Sequence, residues 1–435
     1  MVAPTPTAGL LLAGAEGPVV TLDPVHFEGI ARLARRISQD VDDTDHEAFA
    51  ERVWAEMLDP LVDGGTTLLE PLGDQRRRRV DAETVALAKP GFEAVHGLDA
   101  GTITPTTFKN GLTMDLAHAA MAAAPSDLDL HRGRSVVAAV HSADATAQVL
   151  HEDWTVEDEG YFRSKTVEAP RVSRFSERVV SALALYLAES EHALSNADVV
   201  DELLVLDGPI YPKAMLRWAD RDPELADLLY DADLPRTVVE NYLHLVERFV
   251  DRDVPLIGLV KNPASKSITR AVRSKGANAP WVDDATFFSR VLDPDPEADP
   301  GERATDELTC TNWFRSRGGP DRILSTAGDA LGLERSLPDE DYEVAFAAVY
   351  DPRDDLLYRV EAPVGLVRDE DRRERLLRYV VSEVAAERGP PKPVAKADEL
   401  ARIGREERTS LREELAEAFD TERKRAYDEK RWGVV

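Results

Sequence analysis

Two short stretches hold the residues best suited to chemistry, His96-Gly97-Leu98-Asp99-Ala100-Gly101 and Leu203-Leu204-Val205-Leu206-Asp207-Gly208-Pro209. In each, an aspartate leaves an apolar run and meets glycine. A strand that ends this way sets a carboxylate at a sheet edge, and the missing Cβ lets another group come close to the backbone. Seen once, this is a turn. Seen twice, with a long amphipathic helix between, it is how a sheet gathers carboxylates for divalent cations. Three or four such groups can hold two ions about 4 Å apart, which activate a water and stabilise the leaving oxygen of a phosphodiester. Mg2+ and Mn2+ favour oxygen donors of this kind and retain some waters.

Asp99 and Asp207 meet only if their strands are neighbours. The third carboxylate is expected from the helix at 171–194, whose C-terminus joins the second of these strands by a short loop. Its N-terminus is then expected beside Asp207, which favours Glu177 over Glu168, Glu189 and Glu191. Lys261 directly follows the buried apolar run 256–260 and can oppose phosphate charge at the same edge. Lys266, Arg270 and Arg273 lie on the next predicted helix, where they could track a DNA backbone. Phe108-Lys109 and Trp313-Phe314-Arg315 could stack on unpaired bases, although core packing is the ordinary use of such aromatics. Arg76–Arg79 is a basic spot suited to pairing with neighbouring acids, and Asp115 is expected to face solvent from its strand.

The elements that must position these residues follow from periodicity. Residues 1–90 are expected to form a flexible N-terminus and a helical extension. Asp23-Pro24 opens a helix to Ile37, and a second spans 45–58 with Phe49, Val53, Trp54 and Met57 on one stripe. Residues 91–435 are expected to form the main domain. Its predicted strands are 94–98, 111–117, 135–141, 203–206, 256–260, 343–350 and 356–361. Helices are expected at 213–231, 235–251, 265–274, 369–388 and 397–427, with an acidic, Pro-rich insertion at 291–306. Three strands, then a helix, then alternating strand and helix predict an α/β fold of ribonuclease H-like type. A mixed sheet would be flanked by helices, with the N-terminal helical extension and a C-terminal helix added. A doubly wound sheet would need a helix between the first two strands.

Composition narrows the function further. The 435 residues carry a formal charge of −29, with acids spread along the whole length. Such a surface suits a halophile's cytoplasm, where acidic side chains keep a protein hydrated in concentrated salt. High salt already weakens phosphate attraction, so net charge does not exclude nucleic acid. Cys310 is the single cysteine, which excludes a disulfide framework and a cysteine-based zinc site. All nine histidines fall at or before His244, so histidine chemistry cannot come from the C-terminal part. The apolar run 9–14 is too short for a membrane span or a signal peptide, and no membrane association is expected. A Walker-type phosphate loop is missing, which argues against a motor.

The chain resembles the archaeal NurA DNA repair nucleases from about Gly97 to Ile403. The resemblance is carried by Gly97-Leu98-Asp99-Ala100-Gly101, Leu206-Asp207-Gly208-Pro209, and Leu256-Ile257-Gly258-Leu259-Val260-Lys261 followed by Ser265. It continues through Tyr358-Arg359-Val360-Glu361-Ala362-Pro363 to Gly389-Pro390-Pro391 and Ala397-Asp398-Glu399-Leu400-Ala401-Arg402-Ile403. It implies a Mn2+-dependent deoxyribonuclease, with 5′ to 3′ exonuclease and single-strand endonuclease action. A homodimer, a hexameric HerA-type ATPase as partner and a part in double-strand break end resection are implied too. Its acidic positions fall on Asp99, Glu177 and Asp207. Pro390 stands where the family commonly has tyrosine, and Asp398 where it has histidine. A carboxylate at 398 can still ligate a cation. The rival readings are a catalytically weakened adaptor of the translocase, and a ribonuclease H-like enzyme acting on RNA or branched DNA.

Overall fold

The computed structural model describes residues 23–38, 43–89, 91–144, 146, 153–295, 306–324 and 331–424. Helices α1 (Pro24–Ser38) and α2 (Asp43–Met57) come first. The short strands β1 (Leu61–Asp63), β2 (Thr66–Pro71) and β3 (Arg77–Asp81) follow, then the one-turn helix α3 (Ala82–Ala86). The central part runs β4 (Val95–Thr102), β5 (Thr106–Thr107), β6 (Leu112–Ala124), α4 (Leu128–Arg132), β7 (Arg134–Ser142), β8 (Thr155–Glu157) and β9 (Phe162–Glu168). After it come α5 (Ser176–Asn196), β10 (Leu204–Leu206), α6 (Lys213–Leu216), α7 (Pro223–Asp231), α8 (Asp233–Asp251) and β11 (Leu256–Lys261). The remaining elements are α9 (Ser267–Ser274), α10 (Asp284–Leu292), β12 (Glu307–Thr311), β13 (Phe314–Ser316), β14 (Val344–Asp351), β15 (Leu356–Pro363), α11 (Glu370–Glu387), α12 (Lys392–Ala401) and α13 (Arg405–Ala418).

Residues 1–48 and 49–435 form separate compact units. In the first, α1 is amphipathic, with Phe27, Ile30 and Leu33 exposed. In the second, one mixed sheet has the order β1-β2-β13-β14-β15-β11-β10-β4-β6-β7-β9-β8. At its centre, β7, β6 and β4 are antiparallel neighbours, and β4, β10 and β11 are parallel. This is the arrangement expected from the strand and helix order, and it makes the two aspartate-bearing strands neighbours. Among the described residues, β8, β9, β12 and β13 were not anticipated. β8 and β13 span three residues each, and in β9 and β12 polar residues hide the period of two.

Residue 90 does not divide the structure. β1 and β2 extend the sheet through β13, and β3 pairs with β12. The helical extension thus ends with α2, because 61–81 alternates between half-buried and exposed positions as a sheet edge does. Residues 296–305, most of the expected acidic insertion, lie outside the described residues. The helix expected over 213–231 is interrupted where Asp222 caps a new helix with Pro223 at its first position. The closing helix is likewise two, because Arg402 turns extended ahead of Gly404, which begins α13.

The sheet is covered on both faces. Leu98, Leu204 and Leu206 point into the core under α5 and α8, together with Val179, Leu183, Leu187 and Val246. Val95, Val205, Ile257 and Leu259 point the other way, into a core shared with α11 and α12 through Leu377, Val380 and Val394. Each fully buried aliphatic side chain contributes about 1.5–3 kcal/mol, so the central strands are held from both sides. The arginine run 76–79 pairs as expected. Arg77 meets Glu51 at 2.6 Å, and Arg78 and Arg76 meet Glu374 at 2.5 and 3.0 Å. Phe108, Trp313 and Phe314 are buried core residues, so none offers a ring to a base.

Candidate metal centre

Side chains alternate across a strand. Since Leu98 and Leu206 face α5, Asp99 and Asp207 face α12. β4 and β10 run parallel with Leu98 opposite Leu206, and the Asp207 amide donates to the Leu98 carbonyl at 2.8 Å. The two aspartates therefore stand side by side. Asp99 does not end its strand, which continues to Thr102. Gly97 and Gly101 are accordingly not turn residues.

They serve close approach. A Cβ on Gly97 would stand 2.3 Å from the Pro393 carbonyl carbon, and one on Gly101 would stand 2.1 Å from the Ala401 oxygen. The two glycines, four residues apart on one face, let α12 lie directly on β4. Asp398 sits between these two contact points. One carboxylate oxygen each from Asp99, Asp207 and Asp398 lies within 4.8 Å of the others. Among the described residues this is the group of acids able to hold a metal ion. Gly258 repeats the device, because a Cβ there would stand 2.5 Å from the Gly208 oxygen and 2.8 Å from the Ile210 nitrogen. The chain beyond Asp207 can thus cross β11, aided by Gly208 at φ 145°.

Electrostatics show how crowded the acids are. Burial pushes the Asp99 carboxyl up to about 7, and the charges of Asp207 and Asp398 add to the rise. Asp207 is also raised, mainly by burial, while its hydrogen bond from Lys261 opposes the shift. The Lys261 Nζ lies 2.8 Å from Asp207 Oδ2. Like-charged carboxylates this close are relieved by a retained proton or by a cation, and the donor set is all oxygen. That fits Mg2+ or Mn2+. Lys261 supplies one positive charge against three acids.

Glu177 is not brought to this group. It lies exposed in the first turn of α5, where Thr107 Oγ1 donates to it at 3.2 Å. The reason is length. From Leu204 to Asp207 the chain climbs only about 10 Å at 3.3 Å per residue. Retracing that rise along α5 from Asn196 takes about seven residues at 1.5 Å each, which ends at Glu189. Glu177 lies about 18 Å beyond. Burial pushes the Glu189 carboxyl up to about 8, Tyr242 opposes the shift, and the charges of Asp99 and Asp207 add to it. Glu189, on α5, is therefore near enough for Asp99 and Asp207 to raise its carboxyl, although it lies outside the group of acids that meet within 4.8 Å. The three-residue length of β10 is the signal that would have selected it.

The family model of the NurA domain matches residues 93–403. The chain belongs to the NurA family. Membership in NurA supports a nuclease function. Among solved structures, the chain is similar to the NurA nuclease from Sulfolobus solfataricus, with 10% identity, 92% of this chain and 98% of that chain covered, and a TM-score of 0.47. It is also similar to NurA bound to dAMP and manganese, at 10% identity with 92% and 98% covered and a TM-score of 0.43. No curated protein matches it.

Other expected contributors resolve differently. Arg273 donates to the Ala279 and Trp281 carbonyls at 3.1 and 3.0 Å, so it closes a loop, while Lys266 and Arg270 are exposed. Asp115 is buried rather than solvent-facing, since α5 covers β6 there, and burial pushes its carboxyl up to about 6. No described helix is long and apolar enough to cross a membrane.

Proposed function

We propose that the chain is a metal-dependent deoxyribonuclease that hydrolyses phosphodiester bonds at the acidic group of β4, β10 and α12. Asp99, Asp207 and Asp398 would hold Mn2+ or Mg2+, and Glu189 from α5 would complete the set for a pair of ions. The observation that carries this reading is the convergence of three carboxylates from distant elements to within 4.8 Å. When bound, the divalent ions would supply a water of lowered pKa and positive charge against the leaving oxygen. Lys261, beside Asp207, offers a further charge to a phosphate oxygen. Asp398 is acceptor-only when ionised, so it takes over ligation from the family's histidine but not proton donation. Its place in the group supports an active enzyme over an adaptor with lost chemistry.

The family supports finer expectations for this chain. They are DNA as substrate, 5′ to 3′ exonuclease and single-strand endonuclease action, and a homodimer in the cytoplasm. Double-strand break end resection with a HerA-type hexameric ATPase is the corresponding process, and the partner would supply ATP-driven movement. The test uses purified protein in high salt with DNA labelled at either end, and with RNA beside it. Cleavage should require Mn2+, stop in EDTA, and be lost in Asp99→Ala, Asp207→Ala and Asp398→Ala. Cleavage in EDTA, or cleavage untouched by these substitutions, would sink the reading.

A further inference from the structure

Helix α8 grips α5 at three consecutive positions. The Tyr242 hydroxyl donates to Glu189 Oε1 at 2.7 Å. The neighbouring Asn241 donates to Ser190 Oγ at 3.2 Å and to Glu191 Oε1 at 3.4 Å. Tyr242 is buried, with 1% of its surface exposed, and its ring meets Tyr186 edge to face at 6.2 Å. A buried phenol on a fixed ring holds its oxygen in one place, so the bond restrains the glutamate carboxylate. Asn241 adds two further hydrogen bonds between α8 and α5 beside it. Glu189 itself is one turn beyond Tyr186 on the same helix, and the charges of Asp99 and Asp207 act on it.

We infer that Tyr242 is a positioning residue for the metal centre, holding Glu189 by one oxygen so that the other is left for a divalent cation. This rests on the reading of Asp99, Asp207, Asp398 and Glu189 as a metal site. Partners that orient a ligating carboxylate typically change metal affinity by about 10- to 100-fold when removed. Tyr242→Phe removes the hydroxyl alone and leaves the ring packed, so the fold is retained. Nothing in the bond to Glu189 touches substrate, and Tyr242 acts through the glutamate only.

The test measures Mn2+ binding to the full-length chain without substrate, following the free-ion signal by electron paramagnetic resonance. Four proteins are compared: the unaltered chain, Tyr242→Phe, Glu189→Gln and the double variant. A fifth, Asp207→Asn, tests the metal site itself, and thermal melts confirm folding in each. Tyr242→Phe should weaken binding about tenfold, and should add nothing once Glu189 is Gln. If Asp207→Asn binds Mn2+ like the unaltered chain, the metal-site reading fails. If Asp207→Asn loses binding while Tyr242→Phe keeps it, the positioning role fails and the metal site stands. Equal weakening by Tyr242→Phe in both glutamate backgrounds would also overturn the positioning role, because it would show an effect that does not pass through Glu189.

Discussion

Replacing Gly101 by Ala tests the site without touching a ligand. The new Cβ would stand 2.1 Å from the Ala401 oxygen, where ordinary contact begins at 3.4 Å. The two surfaces must separate by the difference, 3.4 − 2.1 = 1.3 Å. The obstacle is backbone, and α12 is held against β4 again at Gly97, so the C-terminal end of the helix must lift. Asp398 is one turn from Ala401 and moves with it. Metal–ligand distances tolerate only about 0.2 Å, so the displacement is several times what the site can absorb. Overpacking of this kind costs about 1–3 kcal/mol, which leaves the chain folded. We expect Gly101→Ala to bind Mn2+ at least about tenfold more weakly, equivalent to about 1.4 kcal/mol, with nuclease activity lost in step. Gly29→Ala is the control, since a Cβ there meets nothing within 4 Å. A folded Gly101→Ala protein with unaltered Mn2+ affinity would refute the argument that the glycines seat α12 and that Asp398 is a ligand.

Further outcomes follow from the same geometry. Lys261→Met should slow cleavage yet leave Mn2+ affinity equal or higher, because the lysine competes with the ion for Asp207; weaker Mn2+ binding in a titration would contradict this. Cation binding needs ionised carboxylates, so Mn2+ affinity should rise with pH through about 7, where Asp99 is held, to about 8, where Glu189 is held. In the metal-free chain both carboxyls bind protons more tightly folded than unfolded. Stability should therefore fall as pH rises from the ordinary carboxylate range through about 7 and about 8, and Asp99→Asn should flatten the early part of that slope in thermal melts. Asp284 accepts from Ser265 Oγ, from the Ser267 and Thr269 amides and from Thr269 Oγ1 at 2.8–3.0 Å at the start of α9. Asp284→Ala strands these donors at about 1–3 kcal/mol for each one left buried and unpaired, so chemical denaturation should show a large loss of stability.

The sheet order and the pair Asp99–Asp207 were legible because both rest on local pattern. Apolar runs such as 203–206 and 256–260 mark buried strands, and three strands before the first long helix leave few topologies open. The glycines beside Asp99 were legible as sites of close approach, but what approaches them was not. Nothing local says that Pro393 and Ala401 lie there. Choosing among the glutamates of α5 failed for a different reason. The short loop after the helix was the right starting point, but placing its N-terminus beside Asp207 takes helix and strand as equally long, whereas α5 has 21 residues and β10 three. Tyr242 could not be read at all, because its role exists only in the contact between α8 and α5.

The seat that Gly97 and Gly101 leave on β4 has a consequence in time. Its occupant begins at Pro393, some three hundred residues further along the chain. At about 5–20 residues per second, a ribosome would need roughly 15–60 s between making the seat and making the helix that fills it. Only in the later part of that interval, once Asp207 has been made, can Asp99 and Asp207 stand side by side without Asp398. The enzyme would therefore be armed by its own completion, and a nascent chain among nucleic acids would carry a blank cartridge.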